Sequence, residues 1–475
     1  MPLRWQKNVR KEAIKMTTIK ATKYKFRHLA RVIIEAKTPI AVGSGEKDVI
    51  TDALVATDVN GLPYIPGTAL AGVVRSMIGE EKSRKYFGYQ EGSKKGQGSE
   101  IIFTEAKILN SKGEVIDGLN IKAIDDELLM NYKELPIRQH VNITDKGVAK
   151  EHGKFDEQIV FAGTRFSFEL EMVSGDKEDE NFKTILSQLL NNTFRIGSGT
   201  RNGFGEVEVI DLQKRSLDLS DANNLKDYLD KSSALNSDFW SKDYSKPERI
   251  TNTDEWTEYK LALQPDDFFL FGSGFGDDEA DMTPVKGKKV NWSSGKGVLE
   301  ENLVLIPATS VKGALSHRVA FYYNKLKGFC VREKDGEFVR DKEAECGNKN
   351  IAVQTLFGYE SQDEKIQQRG NLIFSDIIEK KETKENILNH VSIDRFTGGA
   401  IEGALFTEKT SFGKGQTFEM SILAKKDALK DNDVKNALEN ALKDICSGML
   451  PLGGGVNRGN GVFKESVTKN GEPLQ

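Results

Sequence analysis

The sequence predicts an α+β protein built as two tandem copies of a ferredoxin-like, RRM-like β-α-β-β-α-β unit with inserted hairpins and loops. Three observations predict it. Five blocks of sequence recur in the same order in both halves. Each half alternates strand-like runs with two helical apolar stripes. Each half also closes on a glycine-rich loop between its second helix and a last strand.

The repeat is read directly from the chain. YIPGTALAGVVRS (64–76) pairs with LIPATSVKGALSH (305–317), YFGYQ (86–90) with LFGYE (356–360), and EIIFTEAKI (100–108) with NLIFSDIIE (371–379). HVNITDKGVAKEHGKF (140–155) opens a longer block matched by HVSIDRFTGGAIEGALF (390–406). FRIGSGTRNGFGEVEV (194–209) matches the stretch around PLGGGVNRGNGVFK (451–464). The offset drifts from about 241 to about 270 residues, as loop insertions produce, so the chain is a tandem duplication. The first copy spans 22–212 and the second 256–468, between an N-terminal tail at 1–21 and a C-terminal tail at 469–475. Residues 213–255 are polar and read as a linker with one short helix. The second copy carries a charged insertion at 328–350, which reads as a solvated loop or hairpin.

Each element has its own signal. KFRHLARVIIEAKTPI and EYKLALQPDDFFLF are the first strands. Pro66-Gly67 and Pro307-Ala308-Thr309 then punctuate the chain and start a helix. FTEAKI, TRFSFELEM and TFEMSILA alternate apolar and polar residues as half-buried strands do. Phe182, Ile185, Leu186, Leu189 and Leu190 form one helical stripe, and Val434, Ala437, Leu438, Ala441, Leu442 and Ile445 form its counterpart. The glycine loop and a final strand complete each copy.

Composition excludes several classes. The chain has 475 residues, 38% hydrophobic and 29% charged, which suits globular domains rather than disorder. It contains no run of apolar residues long enough for a membrane span, and its basic N-terminus lacks the apolar core of a secretory signal. Three cysteines without metal spacing fit a reducing, cytoplasmic setting, and five scattered histidines show no zinc pattern. A net charge of −4 argues against bulk coating of nucleic acid but leaves room for a local basic groove.

Clustered glycines are entropically costly, so the loops raise the question of what approaches their backbone. Such a loop turns the chain, admits a neighbouring subunit, or offers bare N–H groups to phosphate. It is neither a Walker loop nor a dinucleotide fingerprint, because no Gly-Lys-Ser/Thr follows and the helix precedes it. Arg201 and Arg458 inside the loops favour a phosphate partner.

The GxGxxxxGxG loop, the I-P-x-x-S/T-x-x-G helix start and the SIDRFTGGAIEGALFTEKTSFGKGQTFEMSI segment together resemble the RAMP superfamily, the repeat-associated proteins of CRISPR–Cas effectors. The nearest likeness is to backbone subunits of type III effectors, here two fused in one chain. The resemblance implies binding of crRNA and of complementary target RNA, and assembly with other effector subunits in a filament-like complex. It implies that the helix starts and glycine loops grip the guide. Those residues are Thr68, Arg75, Ser310 and Lys312, with Gly197, Ser198, Gly199, Arg201 and Gly203 in the first loop. In the second loop they are Gly453, Gly454, Gly455, Arg458 and Gly459. Ser310 and Lys312 match the family's Ser-x-Lys-Gly, whereas the first copy has Ala69 and Ala71 there, with Arg75 one turn on. The 140–155 and 390–406 segments resemble a thumb hairpin wedged into the guide–target duplex. This makes His140, His390 and Arg395 RNA-contact candidates.

Family backbone subunits often cut the target RNA with an aspartate in the loop after the first strand. The repeat selects the equivalents independently: Asp52 and Asp281 each stand nine residues past the first glycine of Gly43-Ser44-Gly45 and Gly272-Ser273-Gly274. Asp48, Asp277 and Asp278 are second choices. A loop carboxylate orients or deprotonates a 2′-hydroxyl, or holds Mg²⁺ or another divalent cation jointly with RNA phosphates. Three alternatives remain at this stage. They are a non-catalytic structural subunit, a guide-processing RNase of the same superfamily, and a duplicated scaffold without nucleic acid. Phe155, Phe204, Tyr359 and Phe406 are further stacking candidates.

Overall fold

The computed structural model describes residues 24–474 apart from 47–50, 93–94, 145–146, 242, 330, 335–336, 343 and 361–366. The 1–21 tail, Asp48 and Cys330 lie outside the described residues.

In the first half the elements run β1 (Phe26–Ala36), α1 (Gly67–Met77), β2 (Ile101–Phe103), the hairpin of β3 (Ile137–Ile143) and β4 (Ala149–Gln158), β5 (Arg165–Ser174), α2 (Glu180–Leu189) and β6 (Val207–Asp218). The sheet order is β2-β5-β1-β6, with every pairing antiparallel. By order of appearance in the chain this is 2-3-1-4, as the split β-α-β plan requires. Alternation along β1 sends Ala30, Val32 and Ile34 into the core under Leu70 and Val74 of α1 and Phe182, Ile185, Leu186 and Leu189 of α2. Asp179 caps α2 by accepting from the Asn181 amide at 2.8 Å.

The opposite face of this sheet is covered by the segment following β6. After helix α3 (Ala222–Asp230), Trp240 packs with Leu29 and Leu217, and its indole N–H donates to Glu169 at 2.5 Å. Lys231 pairs with the same carboxylate, and Arg31 bonds both Asp211 and the Ser241 carbonyl. The expected linker is therefore a strap fastened across the first sheet. Burying a side chain of this size stabilises by about 1.5–3 kcal/mol, enough to hold such a segment down.

The second half repeats the plan as β7 (Trp256–Pro265), an added hairpin of β8 (Lys286–Asn291) and β9 (Val298–Ile306), α4 (Ala308–Leu326), β10 (Leu372–Phe374), the hairpin of β11 (Lys384–Ile393) and β12 (Ala400–Phe412), β13 (Phe418–Lys425), α5 (Asn432–Cys446) and β14 (Phe463–Lys469). Its sheet order, β10-β13-β7-β14, matches that of the first half. The charged insertion forms a short two-stranded hairpin, Val331–Lys334 with Glu337–Arg340. The chain after residue 468 stays attached, since Glu472–Pro473 pairs with the end of β14.

The halves join along a continuous seam. The Val290 amide donates to the Ala162 carbonyl at 2.8 Å, and the Trp292 indole donates to the Gly163 carbonyl at 2.8 Å. The Arg165 guanidinium lies 4.0 Å from the Trp292 ring centroid.

Candidate nucleic-acid interface

The two aspartates selected by the repeat occupy equivalent places. Ala53 pairs with Glu157 of β4 as a parallel bridge, and Met282 pairs with Glu408 of β12 in the same way. The carboxylates then engage the same hairpin position. Asp52 and Asp156 exchange amide-to-carboxylate bonds of 3.1 Å in both directions. The Asp281 amide donates to the Thr407 hydroxyl at 3.0 Å, and Asp281 Oδ2 accepts from the Thr407 amide at 2.7 Å. Both aspartates are exposed. The Thr407 amide and hydroxyl hold the Asp281 carboxyl below the usual carboxylate range, so it stays anionic at neutral pH. Of the second choices, Asp277 is engaged by Lys409 at 2.6 Å.

Behind the aspartates each hairpin carries a stacked histidine–phenylalanine pair next to a carboxylate, with His140 and Glu408 buried, His390, Phe406 and Glu157 half-buried and Phe155 exposed. His140 stacks on Phe155 with ring centroids 4.8 Å apart, and its Nε2 lies 3.2 Å from Glu157. His390 stacks on Phe406 at 4.8 Å, 3.1 Å from Glu408. The carboxylates fasten the hairpins to the glycine loops. Ser198 donates to Glu157 at 3.1 Å, and Arg458 and Asn460 both donate to the buried Glu408. Burial pushes the Glu408 carboxyl up, but Arg458, His390 and Asn460 together outweigh it and the net shift is downward. His140 is thus a packed link rather than an exposed contact, with Phe204, itself fully buried, against its ring edge. Phe204 is core.

Positive backbone angles show why the loops need glycine. Gly197 has φ +89°, and a Cβ there would lie 2.4 Å from the Ala41 carbonyl oxygen. Gly203 has φ +109°, and its Cβ would lie 2.2 Å from an oxygen of Asp376, across the seam. Gly203 is therefore a close-approach residue facing the other half. Gly197 and Ser198 are exposed, and Gly199, Arg201 and half-buried Asn202 lie between them and the seam. In the second loop Gly453, Val456, Asn457, Arg458 and Gly459 are exposed, with Gly454 and Gly455 half-buried.

At the seam the first loop meets the start of α4. Lys312 donates to Asn202 at 2.8 Å, and Arg369 donates to Thr200 at 2.9 Å. Arg201 lies over the Trp256 ring at 5.2 Å, with its Nε buried and lacking a hydrogen-bond partner. Among the described residues none of these three cations is in an ion pair. Burial, then neighbouring Arg369 and Arg195, lowers Arg201 to about 10. Burial, then Arg201, lowers Lys312 to about 8. Three cations from separate elements thus repel one another beside the first glycine loop, an arrangement suited to an anion. Ser310 lies half-buried on the first turn of the same helix. The Ala308 amide is already taken by Asp376 at 2.8 Å, so that position of the helix start is closed to a ligand. Thr68 and Arg75 are exposed at α1, and Arg395 is exposed at the tip of the second hairpin.

Not every motif-proximal arginine is free. Arg195 bonds Ser375 and Glu206, and Arg318 pairs with Asp444. Two residues escaped the sequence reading. Arg369 sits in the short strand Gln367–Arg369, whose counterpart Lys95–Gln97 in the first half pairs in the same way but carries no arginine, so no motif marks it. Phe396 is 99% exposed at the hairpin tip, where Asp394 accepts from the amides of Phe396 and Thr397 at 3.0 and 2.7 Å. The signal for Phe396 was the extra residue in the second tip relative to the first.

Oxygen donors are present but sparse. Among the described residues no three metal-ligating side chains converge. Asp52 with Asp156, or Asp281 alone, suits a hydrated hard cation that takes its other ligands elsewhere.

A family model described as the RAMP superfamily matches residues 33–208 and again 269–464, covering both copies. Among solved structures the chain is similar to one chain of the cryo-EM structure of the type III-B Cmr-beta bound to cognate target RNA. The identity is 16% and the TM-score 0.28, over 44% of this chain and 66% of that one, just under two thirds of its length. No curated protein matches the sequence.

Proposed function

The chain belongs to the RAMP superfamily, and from that premise we propose that it is a crRNA-binding double backbone subunit of a type III CRISPR effector that cuts bound target RNA through Asp52 and Asp281. The observation that supports RNA binding is the cluster of Arg201, Lys312 and Arg369, none of them in an ion pair among the described residues, beside the exposed first glycine loop. A phosphodiester backbone lying along the loop would relieve the repulsion among these cations. Both hairpins stand next to an exposed aspartate, which supports a wedge that opens the strand beside the carboxylate.

In this reading Asp52 and Asp281 act on a 2′-hydroxyl or hold Mg²⁺ against the scissile phosphate, with RNA oxygens completing the ligand set. The test is cleavage of a complementary RNA by the assembled complex with Mg²⁺. The Asp52→Asn/Asp281→Asn double variant is expected to bind RNA and not cut it. Unchanged cutting by that variant would overturn the catalytic assignment.

One observation favours a second reading, a subunit that holds guide and target without cutting. Each aspartate already ties its loop to a hairpin strand, through Asp156 or Thr407, which is a structural use of the carboxylate. Loss of hairpin order in the asparagine variants, measured by hydrogen exchange, would support it.

A further inference from the structure

The loop that carries Asp281 is touched by the other half of the chain, and the loop that carries Asp52 is not. Residues 272–284 fold back on themselves. The Ser273 amide donates to the Thr283 carbonyl at 2.8 Å, and the Thr283 amide donates to the Phe275 carbonyl at 3.2 Å. A Cβ at Gly276 would lie 2.9 Å from the Asp281 carbonyl oxygen, so this turn is pressed against the aspartate's own backbone. The first half's hairpin reaches the same turn from outside. Gln139 Oε1 lies 2.9 Å from the Cβ position of Gly274, and the Lys154 ammonium sits over the Phe275 ring, 5.7 Å from its centroid. The first loop folds alike, with the Leu54 amide on the Glu46 carbonyl at 3.3 Å. Yet among the described residues nothing comes within 4 Å of a Cβ at Gly45, the counterpart of Gly274.

The side chains differ as well. Lys154 stands opposite Val141 in β4, and the same register place in the second hairpin, opposite Val391, holds Leu405. Glu46 takes the place of Phe275 in the first loop. The halves thus share the aspartate but not the cation. A carboxylate held anionic beside a phosphodiester repels it, so a cation is needed there. The second half's own cations are committed elsewhere. Lys409 is bonded to Asp277 at 2.6 Å and to Glu279 at 2.9 Å, Arg458 is bonded to Glu408, and Arg395 is at the far tip of its hairpin. Lys154 is exposed and in no ion pair among the described residues.

We propose that Lys154, carried by the first half, is the phosphate-binding cation of the site around Asp281 in the second. It neutralises charge on the non-bridging oxygens of the scissile phosphate and itself makes and breaks no bond. The Asp281 site is thereby built from both halves, and the repeat supplies no second lysine of this kind. The inference rests on the cleavage reading above and adds a residue that the two copies do not share.

Cleavage of an end-labelled complementary RNA by the assembled complex with Mg²⁺ tests it. The Asp52→Asn and Asp281→Asn single variants first assign each cut position to one half. Lys154→Met keeps an apolar stem over Phe275 and removes the charge, whereas Lys154→Arg keeps the charge. In the methionine variant, single-turnover cutting at the Asp281 position is expected to slow by about tenfold or more, towards the effect of removing one preorganised donor, and to recover with arginine. Cutting at the Asp52 position should not change, and on the same RNA it reports intact folding and assembly. A methionine variant that cuts like the wild type at the Asp281 position overturns the proposal, because that is what a packing role alone predicts. So does equal slowing at both positions, which is a general loss of RNA affinity, and so does a loss that arginine fails to restore. Each of these leaves the aspartate assignments standing. If neither aspartate variant changes any cut, the cleavage reading itself falls, and the proposal with it.

Discussion

Arg138, on the first hairpin, donates to the carboxylate of Asp376 in the second half at 3.0 Å, while the other oxygen of Asp376 accepts the Ala308 amide at 2.8 Å. One buried carboxylate thus caps a helix in its own half and holds a strand of the other. Asp376→Ala leaves a buried guanidinium and an amide without partners. The expected cost is about 3–5 kcal/mol. Calorimetry should then resolve two transitions, one per half, where the wild type shows one.

Gly203 and Gly459 have the same backbone conformation but different surroundings. Alanine strains both by its positive φ, but only at position 203 does the new methyl meet Asp376. Gly203→Ala should lower the melting temperature more than Gly459→Ala, and only the former should weaken RNA binding through distortion of the seam.

Arg201→Ala and Lys312→Ala should each weaken binding of single-stranded RNA regardless of sequence. Each should also flatten the dependence of log affinity on log salt by about 0.7 for every phosphate that is no longer neutralised. Filter binding between low and moderate salt reads both quantities.

Lys312 gives the same site a pH signature. Its ammonium is pushed down to about 8 in the folded protein, below its ordinary value in an unfolded chain. Above pH 8 the unfolded chain holds this proton and the folded chain does not. The contribution of Lys312 to stability therefore rises with pH from about 8 towards the ordinary lysine range, and is absent below it. A bound phosphate restores the charge, so RNA binding takes up a proton in that window. Affinity should fall by up to roughly tenfold per pH unit above 8, and Lys312→Arg should remove the slope.

Exchanging Asp52 and Asp281 for asparagine should slow target cleavage by about 10²–10⁴-fold, the usual weight of a positioned acid or base. Asparagine keeps an oxygen acceptor for the Asp156 and Thr407 amides, so hairpin order and RNA affinity should be preserved. Quantified cleavage and binding on the same preparations separate the two effects.

Much of this was legible in the sequence because the repeat acts as an internal alignment. It brought Asp52 into register with Asp281 and His140 with His390, and the hairpin pairings place them equivalently. It also gave the element order, since apolar alternation and helical stripes survive in both copies. What escaped it were features the repeat does not share. Arg138 is matched by Leu388 and Asp376 by Glu105, so no comparison between copies could reveal the lock that joins them. The strap depends on single residues, Trp240 and Lys231, in a segment whose polar composition resembles solvated chain. His140 and Gly203 look like ligand contacts in a motif, but His140 is buried among Phe155, Phe204 and Glu157 of its own half and Gly203 lies against Asp376 of the other.

The strap also changes what the seam has to withstand. Because Trp240 pins the connection to the first sheet, the second half is delivered to its partner surface on a short leash. Its local concentration there greatly exceeds that of a free molecule. The contact around Asp376 can then persist with an intrinsic affinity too weak to join two separate chains. Two consecutive positions of any larger assembly would be filled together and in one order, without the step of finding each other by diffusion.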